Sequence, residues 1–182
     1  VLLMGFTTAS QFYKNLFNTK VYKISLDGGC TCPNRDGTKG VGGCIFCSET
    51  GSGDFQSKDK STITAQVEAA KQIVNKKFPK KIEKKYIVYF QNYTNTFLPL
   101  ESLMEYIAQA GEIKDIVEIC ISTRPDCIRS DYLEAFRNYR DRTGIEISIE
   151  LGLQTVNYHT LKKVRRGDRK STRLNSSHYF ES

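Results

Sequence analysis

No apolar run in this chain approaches the ~20 residues of a membrane-spanning helix, so no such helix is expected within it. A leading signal peptide is missing too, and this sets the expectation of a cytoplasmic protein in a reducing environment. In such a compartment the six cysteines point to metal ahead of disulfides. The chain opens at Val1 without an initiator methionine. From Asp168 onward helical and strand periodicity is lacking as well. The text DRKSTRLNSSH corresponds to one reading frame of a common sequencing adapter, so Asp168–Ser182 is expected to be a non-native, disordered tail. Residues 1–167 are then expected to form the N-terminal part of a natural domain.

A length of 182 residues suits one domain with a real core. The net charge is +7, much of it in Lys76, Lys77, Lys80, Lys81, Lys84 and Lys85 and in Lys162, Lys163, Arg165 and Arg166. These groups read either as solvated helix ends or as a phosphate-facing surface for RNA, and the charge fits both.

Cysteine carries the sharpest signal, in the stretch GGCTCPNRDGTKGVGGCIFCSETGSGDF. Three thiolates, from Cys32, Cys44 and Cys47, would hold three irons of a [4Fe–4S] cubane and leave the fourth iron open for a small molecule. Adding Cys30 gives the spacing Cys30-x-Cys32-x11-Cys44-x2-Cys47, four thiolates in two close pairs, as a structural tetrahedral zinc site needs. On spacing alone both sites stand. Cys120, in an apolar strand pattern, and Cys127, in a loop, read as packing residues.

The body alternates strand and helix signals. Val21–Leu26 is a strand, followed by the cysteine loop. Ser61–Phe78 places Ile63, Val67, Ala70, Val74 and Phe78 three or four apart, a helical period. Lys85–Phe90 is a β-branched and aromatic strand, and Val117–Thr123 a third strand. Pro99–Ala110 reads as a helix with Gly111 as its stop, and Ser130–Arg142 as one capped by Ser130 or Asp131 and closed by Gly144. Ile145–Leu151 is a fourth strand and Val156–Arg166 a fourth helix. Four consecutive βα units predict a parallel sheet with right-handed crossovers, a context that favours iron–sulfur over a zinc ribbon. In βα-barrels functional groups gather on loops at the carboxyl ends of strands. Here those loops carry the cysteines, Gln91 to Thr96, Arg124-Pro125-Asp126, and Glu150 with Gln154.

The ordered set CPNRDGTKGVGGCIFC-x3-GSGDF, YFQNYTNTF, STRPDC and ELGLQT-x5-LKKVRRG resembles the YhcC/YtqA-type radical S-adenosylmethionine (SAM) proteins, relatives of the elongator catalytic subunit and of oxygen-independent coproporphyrinogen oxidase. The resemblance spans Phe12–Gly167. It implies an α/β fold, a partial (βα) barrel with about four units present, and further barrel strands beyond this fragment, which is expected to be inactive by itself. It assigns Cys32, Cys44 and Cys47 as ligands of a [4Fe–4S] cluster, since relatives usually carry phenylalanine at the position of Cys30. It places Gln91, Asn92, Thr94, Asn95 and Thr96 near the methionine ammonium of SAM, Glu150 at a ribose hydroxyl and Gln154 at SAM or substrate. For Glu150 the plainer reading is a salt bridge at a strand end; Arg124 and Asp126 read as an ion pair or as substrate contacts. The implied activity is reductive cleavage of SAM to a 5′-deoxyadenosyl radical that abstracts hydrogen, with a flavodoxin or ferredoxin as reductant and the side chain of a tRNA wobble uridine as target. A four-cysteine zinc module that binds RNA and an inactive scaffold are the alternatives.

Overall fold

The computed structural model describes residues 7–49, 62–78 and 83–167. Ser61, the GSGDF segment, Lys80, Lys81 and the tail Asp168–Ser182 lie outside the described residues. Four strands, β1 (Val21–Leu26), β2 (Lys85–Phe90), β3 (Ile116–Thr123) and β4 (Glu146–Leu151), form one sheet in sequential order. All three pairings are parallel. Helices α2 (Ile63–Lys77), α3 (Leu100–Gly111) and α4 (Ser130–Thr143) cover the outer face. There the alternate strand residues Ile24, Leu26, Val88, Phe90, Ile119 and Ile121 pack against Val67, Leu103, Ile107 and Tyr132.

The other residues of each strand face inward, and apart from the buried Ile87 most of them are polar. Lys23, Tyr89, Glu118, Cys120, Ser148 and Glu150 occupy this side. The register places Ser25, Tyr89, Cys120 and Ser148 in one row. Lys23 of edge strand β1 forms an ion pair with Glu150 of the opposite edge, β4. Strands ~4.8 Å apart would set those edges ~14 Å from one another in a flat sheet, so the contact requires the sheet to curl. This curl makes the fold a partial barrel.

Local signals explain most boundaries. Thr62 caps α2 through its side chain, and Gly144 ends α4 in the left-handed conformation (φ 71°). Three expectations need correction. Helix α4 has Arg129 at its N-cap with no side-chain cap bond; Ser130 and Asp131 lie inside the first turn, where Asp131 pairs with Arg129 instead. The last helix, α5, is only Tyr158–Lys163, capped by Asn157, because the chain leaves the helix at Arg165 (φ 57°). Gly111 does not stop α3 but is its final residue. Its small size matters for packing: a Cβ there would fall 2.1 Å from the hydroxyl of Tyr139 and 3.0 Å from Ile145. Tyr139 is buried, so it cannot swing away cheaply. Gly111→Ala is therefore expected to destabilise by ~1–3 kcal/mol despite alanine's better helix propensity; an unchanged urea midpoint would refute that reading.

One helix was not anticipated. α1 (Ala9–Phe17), capped by Thr8, projects Tyr13 so that its hydroxyl bonds the buried Glu118 at 3.2 Å. Burial, and then the Glu118 carboxylate, push that phenol up to about 12.

Candidate functional site

The cysteine loop leaves β1 at Asp27, where Gln66 of α2 bonds both backbone groups (Asp27 N–H to Oε1 2.8 Å, Nε2 to Asp27 C=O 3.0 Å). The carbonyl of Cys32 then accepts from the N–H groups of Arg35 (2.7 Å) and Asp36 (3.2 Å), which turns the chain back on itself. Gly43 precedes the second cysteine at φ 80°, and a Cβ would meet Arg35 Nε at 2.8 Å. Glycine is needed there on both counts. A tight turn, Cys47 N–H to Cys44 C=O at 3.0 Å, brings the last two thiols together. Arg35, for which the sequence suggested no role, donates to the carbonyl of Cys47 (3.4 Å) and lies over the Tyr93 ring.

As a result Cys32, Cys44 and Cys47 line one cavity of about 220 Å³ together with Tyr93, Thr94, Arg124, Gln154 and Arg166. A larger hollow, about 570 Å³, lies beside Lys39, Phe97 and Tyr132, and no Cys32, Cys44 or Cys47 thiol reaches it. The chemistry selects the smaller one. One of its thiols is already shifted toward the thiolate form. The Cys44 thiol falls to about 6, chiefly through the hydrogen bond from Cys47, helped by the Asn34 amide at 3.2 Å and by the charges of Arg166 and Arg124, against the cost of burial. Cys47 moves up, because the proton the pair shares stays with it. A thiolate is the form that binds metal.

Cys30 is different. It is buried, and burial drives its thiol up to about 12. Its Sγ points to the carbonyl of Asn92 (3.1 Å) and to Asn95 Oδ1 (3.5 Å). Among the described residues no three or more His, Cys, Asp or Glu side chains gather closely enough to hold one metal ion. Tetrahedral zinc needs such convergence, whereas a cubane takes each thiolate on a separate iron. Three thiols on one cavity wall, under two guanidinium groups, fit the cubane. Cys30→Ala is expected to keep the iron content of the reconstituted protein unchanged; loss of iron in that variant would make Cys30 a ligand.

The residues expected around SAM divide into two sets. Thr94 and Gln154 (φ 58°) line the cavity with the cysteines. Gln91, Asn92, Asn95, Thr96 and Glu150 are not among its lining residues. Asn95 is fully buried, and its amide donates to the carbonyls of Phe90 (2.8 Å), Asn92 (3.2 Å) and Ser122 (2.9 Å). Thr96 bonds Thr123 Oγ1 (2.6 Å) and the carbonyl of Cys127 (2.8 Å). These side chains hold the loop's shape. Glu150 stands on the inner face of β4, where Lys23 and Tyr89 outweigh burial and lower its carboxyl. Arg166, grouped by sequence with the surface charge, is instead buried in the cavity wall with a guanidinium N–H on the carbonyl of Gly152. The left-handed Arg165 turns the chain to place it there, a signal that composition cannot carry.

The Radical SAM superfamily matches this chain over residues 32–180. The chain belongs to that superfamily. Among radical SAM relatives, the uncharacterized protein YtqA of Bacillus subtilis is 40% identical over 159 residues, covering 87% of this chain and 48% of YtqA. Protein YhcC of Escherichia coli is 40% identical over 151 residues, covering 83% and 46%. The chain thus spans about half the length of the curated relatives it matches. The archaeal Elp3 of Methanocaldococcus infernus, with residues 1–46 deleted, superposes with a TM-score of 0.51 at 16% identity, over 86% of this chain and 34% of that one. At that identity the likeness speaks for the radical SAM fold. Membership implies SAM as a ligand and usually a [4Fe–4S] cluster. Among the described residues no helix is long and apolar enough to cross a membrane.

The third rim loop of this radical SAM chain holds a buried ion pair. Arg124, 3% exposed, gives Nε and Nη2 to the two oxygens of Asp126 (2.8 and 2.9 Å). Lys39, from the cysteine loop, also pairs with Asp126. Burial pushes the Asp126 carboxyl up, but the hydrogen bonds and charge of Arg124 and Lys39 prevail and hold it at about 2. Because the folded value lies below the ordinary 3.8, the pair's stabilisation is complete above pH 3.8 and is lost as pH falls through about 2. Acid unfolding followed by circular dichroism is expected to lose that portion of its pH dependence in Asp126→Asn.

Proposed function

We propose that this chain is the cluster- and SAM-binding portion of a radical SAM enzyme, with Cys32, Cys44 and Cys47 as ligands of a [4Fe–4S] cluster. The observation that carries this reading is the shared cavity, in which those three thiols face Thr94, Gln154 and Arg166. When bound, the cluster passes an electron to SAM, whose cleavage supplies a 5′-deoxyadenosyl radical for hydrogen abstraction.

The protein's own part is binding. Arg166 would meet the carboxylate of SAM, and the exposed Gln154 amide on the same cavity would hydrogen-bond the nucleoside. Backbone carbonyls of the Tyr93–Thr94 segment suit the ammonium group, as the buried side chains of Asn92 and Asn95 support that segment from behind. Glu150 would reach a ribose hydroxyl from the inner face of β4.

An RNA substrate such as a tRNA wobble uridine is supported by the placement of charge. Lys162, Lys163 and Arg165 are exposed at the end of α5. That end is tied to the cysteine loop through Ile45 N–H to Val164 C=O (3.2 Å) and Asn34 to Arg165 C=O (2.9 Å). Lys76 and Lys77 end α2, where they complement the helix dipole; they belong to the solvated-end reading. A flavodoxin or ferredoxin would be the electron donor, in the cytoplasm.

Anaerobic reconstitution with iron and sulfide tests the proposal. The expected result is a brown protein whose reduced cluster gives an EPR spectrum that shifts on adding SAM. A colourless protein with one zinc per chain would overturn it in favour of the four-cysteine zinc module.

A further inference from the structure

The guanidinium of Arg124 has two of its three nitrogens committed to Asp126, an arrangement that fixes where the third one points. That third nitrogen, Nη1, lies 3.7 Å from Sγ of Cys32. We infer that Arg124, held by the Asp126 and Lys39 clamp, is a positioning residue that sets the reduction potential of the cluster through a charged hydrogen bond to the Cys32 thiolate. This inference rests on the assignment of Cys32 as a cluster ligand.

The physical argument has three links. First, the donor is a permanent cation, since arginine does not lose its proton in proteins. Second, the site is dry: Arg124 is 3% exposed and the Asp126 side chain is not exposed at all, so solvent screens the field weakly. Third, the pair is oriented. Asp126 takes the far side of the guanidinium, leaving its positive end toward Cys32. Reduction adds one negative charge to the cluster and its ligands. A cation donating to a ligand sulfur stabilises the reduced state more than the oxidised one and so raises the potential. The Asn34 amide does the same for Cys44 at 3.2 Å, but without a charge. The stronger lever is therefore on Cys32.

Lys39 gives the device a second function. It belongs to the segment between Cys32 and Cys44, while Asp126 belongs to the loop after β3. Their pairing fastens the cysteine loop to the sheet, so the distance from Nη1 to the sulfur is fixed by the fold and not by a flexible loop. Electrons and charge balance simply: one electron enters the cluster from an external low-potential donor, and no proton moves, because Arg124 stays cationic throughout.

The test is an EPR-monitored redox titration of the anaerobically reconstituted full chain, comparing wild type with Arg124→Gln, Arg124→Lys and Asp126→Asn, with iron quantified in each. Arg124→Gln is expected to make the cluster about tenfold harder to reduce, which for a one-electron couple is ~59 mV more negative. Arg124→Lys, which keeps the charge but loses the fork, should recover part of that shift. Asp126→Asn keeps the guanidinium and removes a buried negative charge, so it should titrate well above the glutamine variant. If Arg124→Gln fails to take up iron, the Arg124→Lys potential decides in its place, a more negative value than wild type being the expected result. Iron-replete Arg124 variants that titrate with the wild type overturn the inference while leaving the cluster assignment intact. Absence of any [4Fe–4S] signal from the wild type would instead bring down the proposed function, and this inference with it.

Discussion

Cys44→Ala is expected to abolish the iron centre: iron per chain should drop from about four to background, and SAM should no longer perturb any EPR signal. Cys44 is the sharpest position for this experiment because its thiol falls to about 6 under the combined pull of Cys47, Asn34 and two arginines. Losing it removes the best-prepared ligand and also the partner that stabilises the Cys47 proton. Cys120→Ala is the control. That thiol is buried on β3 and raised to about 11, mainly by burial, so it is protonated at neutral pH and absent from the cavity. Its removal should leave the iron in place. Full iron in Cys44→Ala, measured after desalting, would defeat the ligand assignment.

A second large effect is expected from Asn95→Ala, and it is on folding. The Asn95 amide bridges the carbonyls of Phe90, Asn92 and Ser122, joining the ends of β2 and β3 beneath the cavity. Alanine would leave buried acceptors without that donor, at ~1–3 kcal/mol for each one that finds no substitute. The apo chain should therefore lose about 3 kcal/mol or more, a large share of the stability of an ordinary domain. Urea denaturation measures this as a lower midpoint at unchanged slope. A loss below ~1 kcal/mol would show that water or a neighbouring N–H takes over the amide's bonds.

The architecture was legible because its signals are periodic. Alternation of β-branched strands with three-to-four spacing in the helices specified four parallel βα units, and strand edges were right to within a residue. The misses share a physical cause. Gly111 looked like a stop because glycine often ends helices, but the requirement comes from Tyr139, far away in sequence. Helix α1 has a clear amphipathic period, but over nine residues it rests on few apolar positions and is easily passed over.

The site divides in the same way. Cysteine spacing exposed the candidate ligands, and the basic and acidic residues of STRPDC suggested an ion pair that the structure contains. Arg166 was hidden among neighbouring surface charges, since only the left-handed turn at Arg165 sends it inward. The buried roles of Asn95 and Thr96 were hidden too, because a polar loop reads alike whether its side chains face a ligand or brace the backbone.

The group of polar residues Lys23, Tyr89, Glu118, Ser148 and Glu150 on the concave side has a consequence for whatever encloses it. Aliphatic side chains from an additional strand could not zip this trough shut without stranding ammonium and carboxylate groups in oil, at several kcal/mol apiece. The hollow must stay wet, and a molecule entering it would have to trade hydrogen bonds with water for hydrogen bonds with that lining.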